Sequence, residues 1–234
     1  MDLDKVVSLL QLSDSAFPTG RYAHSYGLEA FQQHGLLGVP SPPSTLCDLL
    51  TDTIRFAVAP SDGVALACAH RAVTPTGEAD LVSVTETDLR LSAVKLPREM
   101  RQSSASTGRA LLRAAKALMG SGLSDYEQLV DRGHAPGNHA VVLGLVSACV
   151  GVPIALAVAG ELYAFSASWV AAATRLGLTD HLTAQALLHR TNKVVATSAI
   201  TAAARNVDDI SSCAPFVDLM SMRHEQADIR LFAS

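Results

Sequence analysis

The chain has 234 residues, 49% of them hydrophobic and 17% charged, with a formal net charge of -4. A charged fraction below the roughly 25% of ordinary globular chains leaves little polar surface and favours an apolar face for a partner. No basic block is available to neutralise a run of phosphates, which argues against nucleic acid, and four scattered cysteines without a C-x-x-C pair fit reduced thiols in the cytoplasm.

Asp2, Asp4 and Lys5 precede any apolar run, so the start does not read as a secretory leader. The next stretch, LSDSAFPTGRYAHSYGLEAF at 12–31, crowds turn formers and aromatics together. Within it, Ala23-His24-Ser25-Tyr26-Gly27 is one substitution from the G-x-S-x-G elbow that carries a hydrolase nucleophile. An elbow needs a buried strand to deliver its serine, whereas Pro18 to Ala23 carries a turn signal and no apolar run. A serine hydrolase using Ser25 is therefore the minor alternative, and the stretch reads as a turn-rich surface before a helix starting near Leu28. Phe17, Leu28 and Phe31 read as core.

The linker-like run Val39 to Thr45 is too short to separate domains, so residues 1–234 read as one domain. After Ser41-Pro42, an N-cap and first-turn proline, Leu46, Leu49, Leu50, Ile54, Ala57 and Val58 recur at helical steps. Leu81 to Thr85 alternates weakly, as a strand would, and Val152 to Leu156 is a second, poorer strand candidate because it contains Pro153. Leu111, Leu112, Ala115, Leu118 and Met119 share a helical face opposite Arg109, Arg113 and Lys116, and Gly120-Ser121-Gly122 stops that helix. Ser124-Asp125-Tyr126-Glu127 has the pattern of a capping box.

His134 to His139, with Pro136 and Gly137 between, reads as the start of a helix ahead of a loop metal site. From Val141 to Thr174 only Glu161 carries a charge, which raises a membrane hairpin. Gly144, Gly151 and Pro153 break the run and alanine dominates it, so a buried helix pair is the better reading. Leu162 to Leu176 and Thr179 to Arg205 predict long helices joined at Gly177. Near the end, His224-Glu225-Gln226-Ala227-Asp228 imitates the H-E-x-x-H zinc helix but lacks its second histidine, and is read as a helical surface pair. No glycine is followed by lysine, so no P-loop is present. The sum is an all-α, single-domain bundle of roughly eight to eleven helices without a complete catalytic constellation.

The two ends together resemble a known family. Leu12 to Gly20, His24-Ser25 and Gly27-Leu28-Glu29 look like the N-terminal signature of the urease accessory protein UreF. Ser221 to Glu225, with Arg230-Leu231-Phe232 and Ser234, is similar to that family's closing motif. Between them, Lys95 to Glu99 with Arg101, Ser104, Gly108 and Leu111-Leu112, then His139 to Gly144, follow in the family's order.

The resemblance implies a non-enzymatic, cytoplasmic urease-maturation chaperone. It would form a homodimer that bridges UreD and the GTPase UreG on apo-urease and assists GTP-dependent nickel insertion. It further implies that the chain binds no cofactor tightly and no membrane, that GTP is bound by UreG only, and that nickel is cargo of the complex. Carried over residue by residue, Tyr22, Ser25, Gly27 and Glu29 form the UreG-facing set. His224, Glu225, Arg230, Leu231 and Phe232 form the UreD-facing set, on a tail at about 221–234. Three places depart from the pattern: Thr19 stands where many members have Leu or Ile, Asp228 where many have Tyr, and Arg175 to Thr179 lacks the usual Gly-Gln pairs.

Overall fold

A chain so poor in charge must hide its longest apolar run, and the helix His139–Cys149 does so by lying at the centre: every residue from His139 to Ser147 is buried. The structure, a computed structural model, describes residues 2–20, 24–119, 123–227 and 230–232. Among the described residues the elements are α1 (Leu3–Ser13), α2 (Leu28–Gln33), α3 (Pro43–Thr53), α4 (Val64–Arg71), α5 (Leu81–Val94) and α6 (Arg98–Met119). They continue as α7 (Ser124–Asp131), α8 (His139–Cys149), α9 (Ile154–Arg175), α10 (His181–Ala203) and α11 (Pro215–His224). Strands are absent from this set, and one isolated bridge joins Val73 to Ala79. The fold is all-α.

α3 runs without a break through a π-helical stretch, Ile54–Gly63, into α4. Pro60 sits inside that stretch and has no N–H to give. The chain after α10 fills the gap: Cys213 N donates to Phe56 O at 2.7 Å and Ser211 N to Pro60 O at 3.1 Å.

α8 is wrapped by α4, α5, α6 and α9, and α9 lies along α10. α9 is the described helix long and apolar enough to cross a membrane by length and composition. It contributes Leu162, Phe165, Trp169 and Val170 to the core, while α8, at 11 residues, is too short to span a bilayer. The apolar run is thus a buried helix pair.

Glycines set how closely these rods approach. A Cβ at Gly108 would lie 1.9 Å from Gly137 O, and one at Gly144 would lie 2.4 Å from Leu66 O. A second tie is the fully buried Asp88 of α5. Its carboxylate accepts from Tyr126 Oη (2.7 Å), Gly137 N (2.7 Å), Asn138 N (3.0 Å) and Asn138 Nδ2 (2.7 Å), fixing α7 and the start of α8 to α5. Burial, then the Asp88 charge, pushes the Tyr126 phenol well above the usual tyrosine range.

Three local expectations are corrected. Leu81 to Thr85 opens α5, because Asp80 caps it by accepting from Val82 N and Ser83 N, and Val84, Thr87, Asp88 and Leu91 share a buried face. Ile154 to Leu156 likewise opens α9, with Pro153 at its N-cap. α7 begins one residue earlier than a capping box requires: Leu123, buried, occupies the N-cap and no side chain caps the helix. Gly120 to Gly122, read as a helix stop, lies outside the described residues.

Gly108→Ala is expected to destabilise the protein by at least about 2 kcal/mol, since two backbones must move apart to admit the methyl group. A urea-denaturation midpoint equal to that of the parent protein would contradict the close crossing.

Candidate functional site

α11 has an inward stripe at Val217, Met220, Ser221 and His224, spaced three, four and seven residues apart, the period of one helix face. That face meets α2, a short helix in which Leu28, Glu29, Ala30 and Phe31 are all buried. The chain enters α2 through two successive left-handed residues, Tyr26 at φ 53° and Gly27 at φ 83°. A Cβ at Gly27 would come within 3.3 Å of the Ser221 hydroxyl, a contact that a small shift relieves, so it is the left-handed φ that calls for glycine here.

Where α2, α6 and α11 converge, His224 is completely buried with both ring nitrogens opposite carboxylates: Nε2 lies 3.0 Å from Glu29 Oε2 and Nδ1 2.8 Å from Glu99 Oε2. Each ring nitrogen is thus within hydrogen-bond distance of its own carboxylate. The same carboxylates hold the last described residues. Glu29 accepts from Leu231 N at 2.7 Å and Phe232 N at 3.1 Å, and Arg230 donates to Glu99 Oε1. Glu225 Oε1 accepts from Glu99 N at 2.9 Å, placing a negative charge on the first turn of α6. Phe232 closes the cluster, 9% exposed, with the Arg175 guanidinium 4.3 Å from its ring centre. Leu231, 76% exposed, points away.

Behind the cluster lie two adjoining chambers of about 60 and 70 Å³ that share Tyr26, Lys95, Met100 and Ser103. The smaller reaches Glu99 and Ser221; the larger reaches His24, Asp62, His139 and Glu161. His24 Nε2 and Ser103 Oγ are 3.0 Å apart, Lys95 pairs with Asp62 at 2.6 Å, and His139 Nε2 lies 3.6 Å from Glu161 Oε2. Burial pushes the Asp218 carboxyl of α11 up, against the opposing pull of Lys95. The buried hydroxyls of Ser104 and Ser221 line these chambers without a protein partner among the described residues. Among the described residues no three His, Cys, Asp or Glu side chains group as a metal site.

The residues assigned from sequence to two separate faces therefore occupy one place. Glu29 lies against His224, Leu231 and Phe232, and Gly27 lies against Ser221. Tyr22 lies outside the described residues, as do Asp228 and Ser234. His224 is not a surface residue, because the period of α11 turns it inward, and Ser25 is fully buried rather than on a turn-rich surface. No base reaches the Ser25 hydroxyl, which has no hydrogen-bond partner among the described residues, while His24 turns to Ser103. Glu99, Arg175 and the chamber residues were not singled out as site residues in the sequence. The spacing of α11 could have flagged His224; nothing local flags Glu99.

The profile of the UreF family matches residues 41–192. A urease accessory protein UreF of Trichodesmium erythraeum (strain IMS101) is 31% identical over 237 residues, covering 100% of this chain and 98% of that protein. The corresponding protein of Arthrobacter sp. (strain FB24) is 30% identical over 229 residues, covering 97% and 96%. The chain belongs to the UreF family. The family profile takes in the chambers' His139 and Glu161 but neither Glu29 nor His224, which only the matches along the whole chain include.

Glu29→Gln is expected to release the tail while leaving the helices in place. The amide offers a donor where Phe232 N–H or His224 needs an acceptor, a loss of about 3 kcal/mol for a buried pair. Trypsin cleavage after Arg230, followed by mass spectrometry, should then speed up about tenfold or more; unchanged cleavage would show that Glu29 does not hold the tail.

Proposed function

We propose that this chain is a urease-maturation chaperone without catalytic activity of its own, a cytoplasmic homodimer that bridges UreD and the GTPase UreG on apo-urease and assists nickel insertion. GTP is bound by UreG, and nickel is cargo of the assembly. The observation that carries the proposal is the likeness, along the whole chain, to proteins named urease accessory protein UreF.

Two features of the structure support the finer reading. The UreD-facing surface is supported by the C-terminal end: Phe216, Leu219 and Met222 stand at three-residue spacing on the outer face of α11, and all are exposed, as is Leu231. An apolar patch displayed by a chain of this composition suits a protein partner. The homodimer is supported by an apolar groove of about 810 Å³ along α1 and α9, lined by Leu9, Leu12, Leu156 and the half-exposed Tyr163.

The UreG-facing assignment of Ser25, Gly27 and Glu29 takes an indirect form. Buried as they are, they shape the surface that the partner meets.

Capture of UreD and of a UreD–UreG assembly by the tagged protein tests this reading. Arg230→Ala combined with Phe232→Ala should reduce UreD capture about tenfold with the helical circular-dichroism signal intact. Unchanged capture would overturn the tail assignment. Urease fully loaded with nickel in cells lacking the protein would overturn the function.

A further inference from the structure

A separate cleft lies at the C-terminal end of α10. One wall is the π-helical stretch, whose wide turn puts Arg55, Ala59 and Pro60 on the same side. The facing wall is α10 and the residues after it, with Thr197, Ser198, Thr201, Ala202 and Arg205. The space between them is about 150 Å³.

Its charge is unbalanced in a chain of net charge -4. Among the described residues neither Arg55 nor Arg205 pairs with a carboxylate. The acids closest in sequence form no ion pair with either arginine. Asp208 pairs with Arg90 at 2.8 Å, Asp209 accepts from Asn206 N at 2.9 Å, and Asp52, three residues before Arg55, forms no ion pair with it. The terminal carbonyls of α10, which would repel an anion, are neutralised by Arg71: its Nη1 donates to Ala203 O at 2.7 Å and its Nη2 to Arg205 O. The threonines donate to their own helix, Thr197 to Lys193 O at 2.9 Å and Thr201 to Thr197 O at 3.0 Å. The uncommitted donors facing the cleft are therefore two guanidiniums and the Ser198 hydroxyl.

We propose that this cleft is an oxyanion-binding site, with Arg55 and Arg205 clamping the oxygens from opposite walls and Ser198 donating a third hydrogen bond. Guanidinium forks are suited to planar or tetrahedral oxyanions, so the ligand is either a free anion of phosphate type or a carboxylate carried by a partner protein. Both share the chemistry that the cleft reads.

The test follows the arginine Nε–H resonances of the full-length protein during titration with sodium phosphate, at an ionic strength held constant with sodium chloride. N-acetylglutamate α-amide serves in a parallel arm. Saturable shifts of Arg55 and Arg205 are expected, weakened about tenfold in Arg55→Gln and in Arg205→Gln and unaffected in Arg109→Gln on α6. Saturation by phosphate identifies a free oxyanion as the ligand type, and saturation by the glutamate derivative alone identifies a partner carboxylate. Shifts matched by chloride, absent with both probes, or retained in the two glutamine variants would overturn the proposal.

Discussion

A carboxylate taken out of water has to find its donors inside the protein, and Glu29 finds them on the last stretch of the chain. Its two oxygens meet a ring nitrogen of His224 and the backbone N–H groups of Leu231 and Phe232, about two hundred positions away in sequence. The closure is reciprocal. His224, with no exposed surface, needs Glu29 and Glu99 as much as they need it, and Glu99 in turn takes Arg230. Removing any one member strands a buried polar group on another, so the N-terminal motif and the C-terminal tail hold their shapes together.

That arrangement depends on how α8 is placed. Burying α8 on all sides brings α4, α6 and α9 around it, and Gly108 and Gly144 let two of those contacts become backbone to backbone. With α6 held against the start of α8, its first turn, carrying Glu99, faces α11. The two chambers follow from the same packing: His139 begins α8, Glu161 lies in the first half of α9, and Ser103 and Ser104 lie near the start of α6, so polar side chains of three helices collect where the helices meet.

Most of the fold could be read from sequence because its signals are long. The run over α8 and α9, with Glu161 its one charge before Arg175, and the alanine-rich span of α10 are each longer than any competing pattern. Short windows mislead: five residues at Leu81 alternate like a strand, whereas the fourteen of α5 put Val84, Thr87, Asp88 and Leu91 on one face. The capping-box residues at Ser124 were overruled by burial of Leu123, a tertiary effect that local pattern does not contain. The candidate site was legible as residues and not as a place. Resemblance named Glu29 and His224, but their contact spans 195 positions and has no local signature, and so they were divided between two partners. His224 was the one member with a readable cue, since Val217, Met220 and Ser221 share its helical face.

The few interior charges also account for the surface. Glu29, Glu99, His224, Asp88 and the Asp62–Lys95 pair all hold elements together, and in a chain with only 17% charged residues each one placed inside is lost to the exterior. The consequence is visible on the outside, where Leu3, Val7 and Leu10 of α1 and Phe216, Leu219 and Met222 of α11 stand exposed in stripes at helical spacing. Such stripes on two helices at opposite ends of the sequence are too regular for scattered apolar residues and too exposed for a core. A chain that fastens its ends with buried charge and leaves its outer helices apolar is built to finish its burial against other proteins.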